Sequence, residues 1–141
     1  MSQSPQHTLL VVEDDSAVRE LMVWVLSENG FQVLEAESAE AGLGVLQQHP
    51  SEIDLAIIDL VMPGASGLDL AAEMGRDHPT AKILYISGYS ASIAMESILR
   101  RSPESALLKP FTMEQLTERV TQLLRSVPDR AVMQAPLRHS E

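Results

Sequence analysis

TLLVVEDDSAVRELMVWVLSENG, residues 8–30, sets a buried strand, an acidic turn and an amphipathic helix in succession. Thr8 to Val12 is a continuous apolar run of strand length, as expected of a strand covered on both faces. After Glu13-Asp14-Asp15, the residues Val18, Leu21, Met22, Val25 and Leu26 recur at i, i+3, i+4, i+7 and i+8. That spacing places them on one helical face, and Asn29-Gly30 ends the helix.

The same punctuation continues outward. Phe31 to Glu35 reads as a second strand, Ser38 to Gln48 as a helix capped by Ser38, and Leu55 to Ile58 (LAII) as a buried third strand ending on Asp59. Met62-Pro63-Gly64 then turns the chain. A helix around Gly67 to Arg76, a strand at Lys82 to Ser87, a helix around Ser92 to Arg101 and a short strand at Ala106 to Leu108 follow. The last helix is the best marked: Thr112 and Gln115 form a T-x-x-Q capping box, Phe111 and Leu116 stand at staple spacing, and Leu116, Val120, Leu123 and Leu124 make its apolar stripe before Pro128. Five strands alternating with five helices predict an α/β fold, a doubly wound five-stranded parallel sheet with right-handed crossovers. Ligand chemistry is then expected at the carboxyl ends of the strands.

Composition narrows the function classes. At 141 residues and 45% hydrophobic content the sequence is one domain's worth with a single core, and a second folded effector module is not expected. The expected layout is a flexible segment over 1–7, the domain over 8–126 and a disordered or loosely packed tail over 127–141. Twenty acids against ten bases give a net charge of −10, so direct nucleic-acid binding is not expected. The excess is uneven: Met1 to Gly75 holds 13 acids and one base, Arg19, whereas the remainder holds 7 acids and 9 bases. With no cysteine there is no disulfide framework and no thiolate chemistry, which fits a reducing compartment. No signal peptide and no stretch near the ~18 apolar residues of a membrane span are present, so a cytoplasmic protein without a membrane partner is expected.

The strand ends carry the chemistry. Strand 1 ends in Glu13-Asp14-Asp15, strand 3 in Asp59, strand 4 in Ser87 and strand 5 in Lys109-Pro110. Singly, each has an ordinary explanation as a helix cap, a turn residue or a solvated lysine. Together on one rim, three carboxylates repel one another and call for a cation or a proton. Oxygen-only ligands favour Mg²⁺, with Mn²⁺ able to replace it, and the four histidines are too scattered to form a ligand pair. Such an ion leaves a coordination position for a phosphoryl oxygen, and the Ser87 hydroxyl and Lys109 ammonium would contact the others.

VVEDD (Val11 to Asp15), IIDLVMPG (Ile57 to Gly64), ISGYS (Ile86 to Ser90) and LLKPF (Leu107 to Phe111) resemble the receiver domains of two-component response regulators, the CheY-like superfamily. The resemblance runs from about Thr8 to Leu124. It implies a flavodoxin-like sheet in the order 2-1-3-4-5 and a phosphorelay role, in which Asp59 takes a phosphoryl group from the phosphohistidine of a sensor histidine kinase or phosphotransfer protein. It implies Asp14 as a direct metal ligand, Glu13 acting largely through metal-bound water, the Val61 backbone carbonyl as a further ligand, and Asp15 as a helix cap. Ser87 and Lys109 take the positions of the hydroxyl and lysine that contact the phosphoryl group, and Lys109-Pro110 is expected to be cis.

The family implies a signalling module that catalyses only its own phosphorylation and slow autodephosphorylation. Val61 and Tyr89, two residues after Asp59 and Ser87, carry no carboxylate or amide to orient a hydrolytic water, so a long-lived phosphoryl group is expected. The sequence departs from the family at Ala106, where an aromatic is usual three residues before the lysine; Tyr89 is the alternative moving ring. Val23 and Trp24 of the first helix are candidate kinase-docking residues. The face of helix 4, strand 5 and helix 5, holding Arg100, Arg101, Arg119 and Arg125, is the expected surface for an effector protein or a homodimer. The alternatives are a phosphorylation-independent adaptor on the same fold, a receiver excised from a hybrid histidine kinase, and a different doubly wound protein such as a flavodoxin-like carrier or metal phosphatase. The last two activities lack their phosphate loop or D-x-D motif here.

Overall fold

The computed structural model describes residues 6–62, 67–88 and 93–125. Its elements are β1 (Thr8–Val12), α1 (Ser16–Glu28), β2 (Gln32–Ala36), α2 (Ala39–Gln48), β3 (Leu55–Asp59), α3 (Gly67–Asp77), β4 (Lys82–Ser87), α4 (Ile93–Arg101), β5 (Ala106–Leu108) and α5 (Met113–Arg125). The five strands form one parallel sheet in the order β2-β1-β3-β4-β5, the expected doubly wound arrangement. The structure adds a 3-10 turn, Pro103–Ser105, and starts and ends β2 one residue later than the sequence predicts.

Alternation along the strands splits the core into two layers. Leu9, Val11, Leu55, Ile57, Leu84 and Ile86 face α1 and α5, meeting Met22, Leu26, Leu116, Val120 and Leu123. Leu10, Val12, Ala56 and Ile58 face α2 and α3, meeting Leu46, Leu70 and Met74. A smaller cluster of Met95, Ile98 and Ala106 lies under α4. Each fully buried aliphatic side chain contributes about 1.5–3 kcal/mol, and β3, buried along its whole length, is the axis that both layers share.

The caps follow their chemistry. Asp15 Oδ1 accepts from the N–H groups of Ala17 and Val18, and Ser38 Oγ from that of Ala41. The Thr112–Gln115 box closes reciprocally, Thr112 N–H to Gln115 Oε1 at 2.9 Å and Gln115 N–H to Thr112 Oγ1 at 3.0 Å. Gly30 has φ +93°, a left-handed position that a glycine fills without strain.

The buried face of α1 is rotated from the predicted stripe. Met22 and Leu26 are its fully buried residues, Val18 and Val23 pack against the core, and Leu21 is 45% exposed. Arg19, on the same helix, turns its guanidinium to the Glu13 carbonyl and Glu35 Oε1. Val23, a docking candidate from the sequence, packs against the core, while Trp24 stays 62% exposed. Arg119 is likewise occupied, donating to the carbonyls of Pro103, Glu104 and Ala106 and so tying α5 to the 3-10 turn. No helix among the described residues is long and apolar enough to cross a membrane.

Candidate functional site

The carboxyl ends of β1, β3, β4 and β5 bring Glu13, Asp14, Asp59, Ser87 and Lys109 to one rim. Asp59 is the last residue of β3, 1% exposed, because its strand runs inside the sheet. Its Oδ1 accepts from the Val61 N–H at 2.9 Å, a turn-type bond across two residues that holds the carboxylate. Its Oδ2 accepts from Lys109 Nζ at 3.0 Å. The Lys109 backbone N–H in turn donates to the Ser87 carbonyl, and the Lys109-Pro110 bond is cis, as the resemblance implied.

Glu13 is fully buried one residue beyond the β1 ladder. Its Oε2 accepts from the Asp15 N–H at 3.1 Å. Its Oε1 lies 3.4 Å from Lys109 Nζ but has no hydrogen-bond partner among the described residues. Asp14, next along the chain, is exposed, yet carboxylate oxygens of Glu13, Asp14 and Asp59 lie within 4.8 Å of one another. Burial pushes the Glu13 carboxyl up to about 7, with the neighbouring Asp59 adding to the rise and the Asp15 N–H and Lys109 opposing it. Burial lowers the Lys109 ammonium, but its hydrogen bond to Asp59 and the charges of Asp59 and Glu13 outweigh that, and the group ends above its ordinary value.

One ammonium set against three carboxylates leaves two negative charges uncompensated when all are ionised. That is the charge of one divalent cation, and an orphaned, buried carboxylate oxygen is the feature such an ion or its water would satisfy. The all-oxygen donor set suits a hard cation. The site can thus hold a divalent ion beside a buried carboxylate already engaged by an ammonium.

Ser87 is fully buried, at the end of β4. Tyr89, Pro63 and Gly64 lie outside the described residues. Ala106 is buried, and the residue opposite it in the β4–β5 register is Tyr85, on the same strand face as Ser87. An open groove of about 380 Å³ beside Tyr85 is bounded by Ile83, Ile98 and Arg101. Burial raises the Tyr85 hydroxyl above its ordinary value, with Arg101 partly opposing it.

Two supporting residues escaped the sequence reading. Gly67, the first residue of α3, sits so close to β3 that a Cβ there would lie 2.7 Å from the Asp59 carbonyl oxygen and 2.8 Å from Ile58 Cγ2. Only glycine allows that approach, and a glycine at a helix start is too common a signal to reveal it. Arg19 holds the Glu13 carbonyl at 2.8 Å, and as a single arginine in a helix it carried no motif.

Residues 9–121 match the response regulator receiver domain. The chain is 33% identical over 117 residues to the sensor kinase CckA of Brucella abortus, covering 83% of this chain but 12% of that protein. It is 29% identical to the phosphate regulon transcriptional regulatory protein PhoB of Escherichia coli, covering 88% of this chain and 54% of that protein. The chain thus spans only part of the length of these relatives. Among solved structures, the response regulator TrrA of Thermotoga maritima in complex with Mg²⁺-BeF is 31% identical, with a TM-score of 0.70, covering 84% of this chain and 99% of that one.

Proposed function

The chain belongs to the response regulator receiver domain family, and from that premise we propose that it accepts a phosphoryl group on Asp59 from the phosphohistidine of a sensor histidine kinase or phosphotransfer protein. The observation that carries the residue assignment is the buried Asp59 carboxylate at the end of β3, held at 3.0 Å by Lys109 and flanked by Glu13 and Asp14. All the groups that the chemistry needs are present, which weighs against a phosphorylation-independent adaptor.

In the proposed step an Asp59 carboxylate oxygen forms a bond to the donor phosphorus as the phosphorus–nitrogen bond of the phosphohistidine breaks. The departing imidazole nitrogen keeps that electron pair and takes up a proton, and Asp59 becomes an acyl phosphate. Val61 orients the carboxylate through its N–H. Lys109 supplies a positive charge that can pass from the carboxylate to a phosphoryl oxygen, and the Ser87 hydroxyl is assigned to another. Glu13, Asp14, Asp59 and the Val61 carbonyl are the residues assigned to Mg²⁺, or Mn²⁺ in its place. When bound, the ion supplies charge neutralisation and a coordination position for a phosphoryl oxygen. Cytoplasmic placement, and effector or self-association through the face of α4, β5 and α5, complete the reading.

The test uses the full chain with acetyl phosphate, with and without Mg²⁺, followed by intact-mass measurement and peptide mapping. A single Mg²⁺-dependent phosphoryl adduct on Asp59 is expected, decaying slowly because neither Val61 nor Tyr89 offers a carboxylate or amide to orient a hydrolytic water. An adduct elsewhere, or one indifferent to Mg²⁺, overturns the assignment, and rapid loss overturns the slow decay.

The Glu13 shift makes a pH prediction for the cation-free protein. Its folded value of about 7 exceeds the ordinary 4.5, so between those values the folded state binds more protons than the unfolded one. Stability attributable to Glu13 therefore falls as pH rises through that window and stays low above it. Thermal unfolding in EDTA from pH 5 to pH 8 should show this decline relative to Glu13→Gln, and added Mg²⁺ should reverse it at pH 8. A Glu13→Gln profile parallel to wild type would refute it.

A further inference from the structure

Glu13 stands just past the β1 ladder, so both of its peptide groups need partners that regular strand pairing no longer guarantees. Its N–H still reaches the Ala36 carbonyl of β2 at 3.1 Å. Its carbonyl is taken by Arg19, whose Nη1 donates to it at 2.8 Å while Nε donates to Glu35 Oε1 at 3.0 Å. Arg19 is the only base in the first 75 residues, and its side chain is 14% exposed. A guanidinium serves two acceptors at once because its donors are fixed in a planar fork. The carbonyl it grips belongs to the peptide joining Glu13 to Asp14, the junction at which one carboxylate turns into the core and the next turns to solvent.

We propose that Arg19 is a positioning residue for the cation site, fixing the Glu13–Asp14 peptide so that both carboxylates converge with Asp59 on one point. The inference rests on reading those three acids as a Mg²⁺ site. Its sign separates it from simpler accounts. As a nearby positive charge alone, Arg19 would oppose a cation, and its removal would tighten Mg²⁺ binding. As a mere staple between α1 and β2 it would share its role equally with Glu35. The grip on the Glu13 carbonyl belongs to Arg19 alone, so positioning predicts weaker binding on its loss and little effect from Glu35.

The experiment titrates MgCl₂ calorimetrically into full-length wild type, Arg19→Met, Arg19→Lys, Glu35→Gln and Asp14→Asn, with thermal unfolding of each in EDTA. Arg19→Met keeps the apolar stem and is expected to weaken Mg²⁺ about tenfold, the low end of the loss on removing a group that orients a metal ligand. Arg19→Lys, which retains one donor for the carbonyl, should recover part of that loss. Glu35→Gln should stay within about twofold of wild type, as an exposed ion pair contributes little. Unchanged or tighter binding by Arg19→Met overturns the proposal, as does an equal loss in Glu35→Gln. If Arg19→Met does not fold, the comparison of Arg19→Lys with Glu35→Gln decides: weaker binding by the lysine variant supports positioning, and the reverse order overturns it. Equal binding by wild type and Asp14→Asn would instead show that the acids are not the Mg²⁺ site, a separate failure that removes the premise.

Discussion

Asp59→Asn is expected to abolish Mg²⁺-dependent phosphoryl uptake from acetyl phosphate, by at least about 10³-fold, the scale of losing a nucleophile. Asparagine preserves the volume at the end of β3, and its carbonyl oxygen can still accept from the Val61 N–H. What it lacks is an anionic oxygen. Its amide nitrogen then faces the Lys109 ammonium, donor against donor, at a position where the native oxygen sits 3.0 Å away. Rotating the amide moves the conflict to Val61 without removing it. The cost of such a mismatch in a buried place is about 1–3 kcal/mol of stability, partly offset by relief of repulsion on Glu13. Without the Asp59 charge, Glu13 should titrate somewhat lower while burial still holds it above the ordinary carboxylate range, so the pH dependence of cation-free stability should weaken without vanishing. Circular dichroism then checks that the variant folds, intact mass reads the adduct, and the unfolding profile reads Glu13. An adduct of wild-type size on folded Asp59→Asn would place the acceptor elsewhere.

The fold was legible because its signals are local and redundant. β3 is apolar at four successive positions and ends on Asp59, and the Thr112–Gln115 box forms as its spacing predicts. The rim was legible for a topological reason: in a parallel sheet all strand ends point one way, so Glu13, Asp59, Ser87 and Lys109 had to meet once the strands were placed. Hydrophobic periodicity was less exact on α1. It placed Leu21 on the buried face and Val23 off it, whereas Leu21 is 45% exposed and Val23 packs against the core, and it weighs Arg19 as solvent-seeking although its guanidinium is taken by the Glu13 carbonyl and Glu35. Gly67 was invisible because its importance lies in the absence of a Cβ beside the Asp59 carbonyl, a contact between chain segments eight residues apart. Ala106 could be recognised as a departure, but that its cross-strand partner is an aromatic, Tyr85, needed the β4–β5 register.

Lys109→Met should slow phosphorylation of Asp59 by about 10²–10³-fold, the cost of removing one preorganised donor from a site of developing negative charge. The same change should separate the two duties of the lysine. In the cation-free protein the ammonium is the counter-charge for two buried carboxylates, at 3.0 Å from Asp59 and 3.4 Å from Glu13. Without it those groups repel one another with nothing between them, and Glu13 should hold its proton to higher pH than the native value of about 7. Stability in EDTA should therefore fall most above that pH, and Mg²⁺ should restore much of it by taking over the counter-charge. The rate should not return with it. Once Asp59 is phosphorylated its carboxylate charge is gone, and the lysine is free to follow the negative charge onto the phosphoryl oxygens, a contact that a cation on the acidic side of the site does not replace. Lys109→Arg keeps the charge but presents it in a wider, planar fork, so it should recover stability more fully than rate. Recovery of both by Mg²⁺ alone, in unfolding and in intact-mass time courses of Lys109→Met, would reduce Lys109 to a structural counter-ion and leave phosphoryl capture to the acids and Ser87.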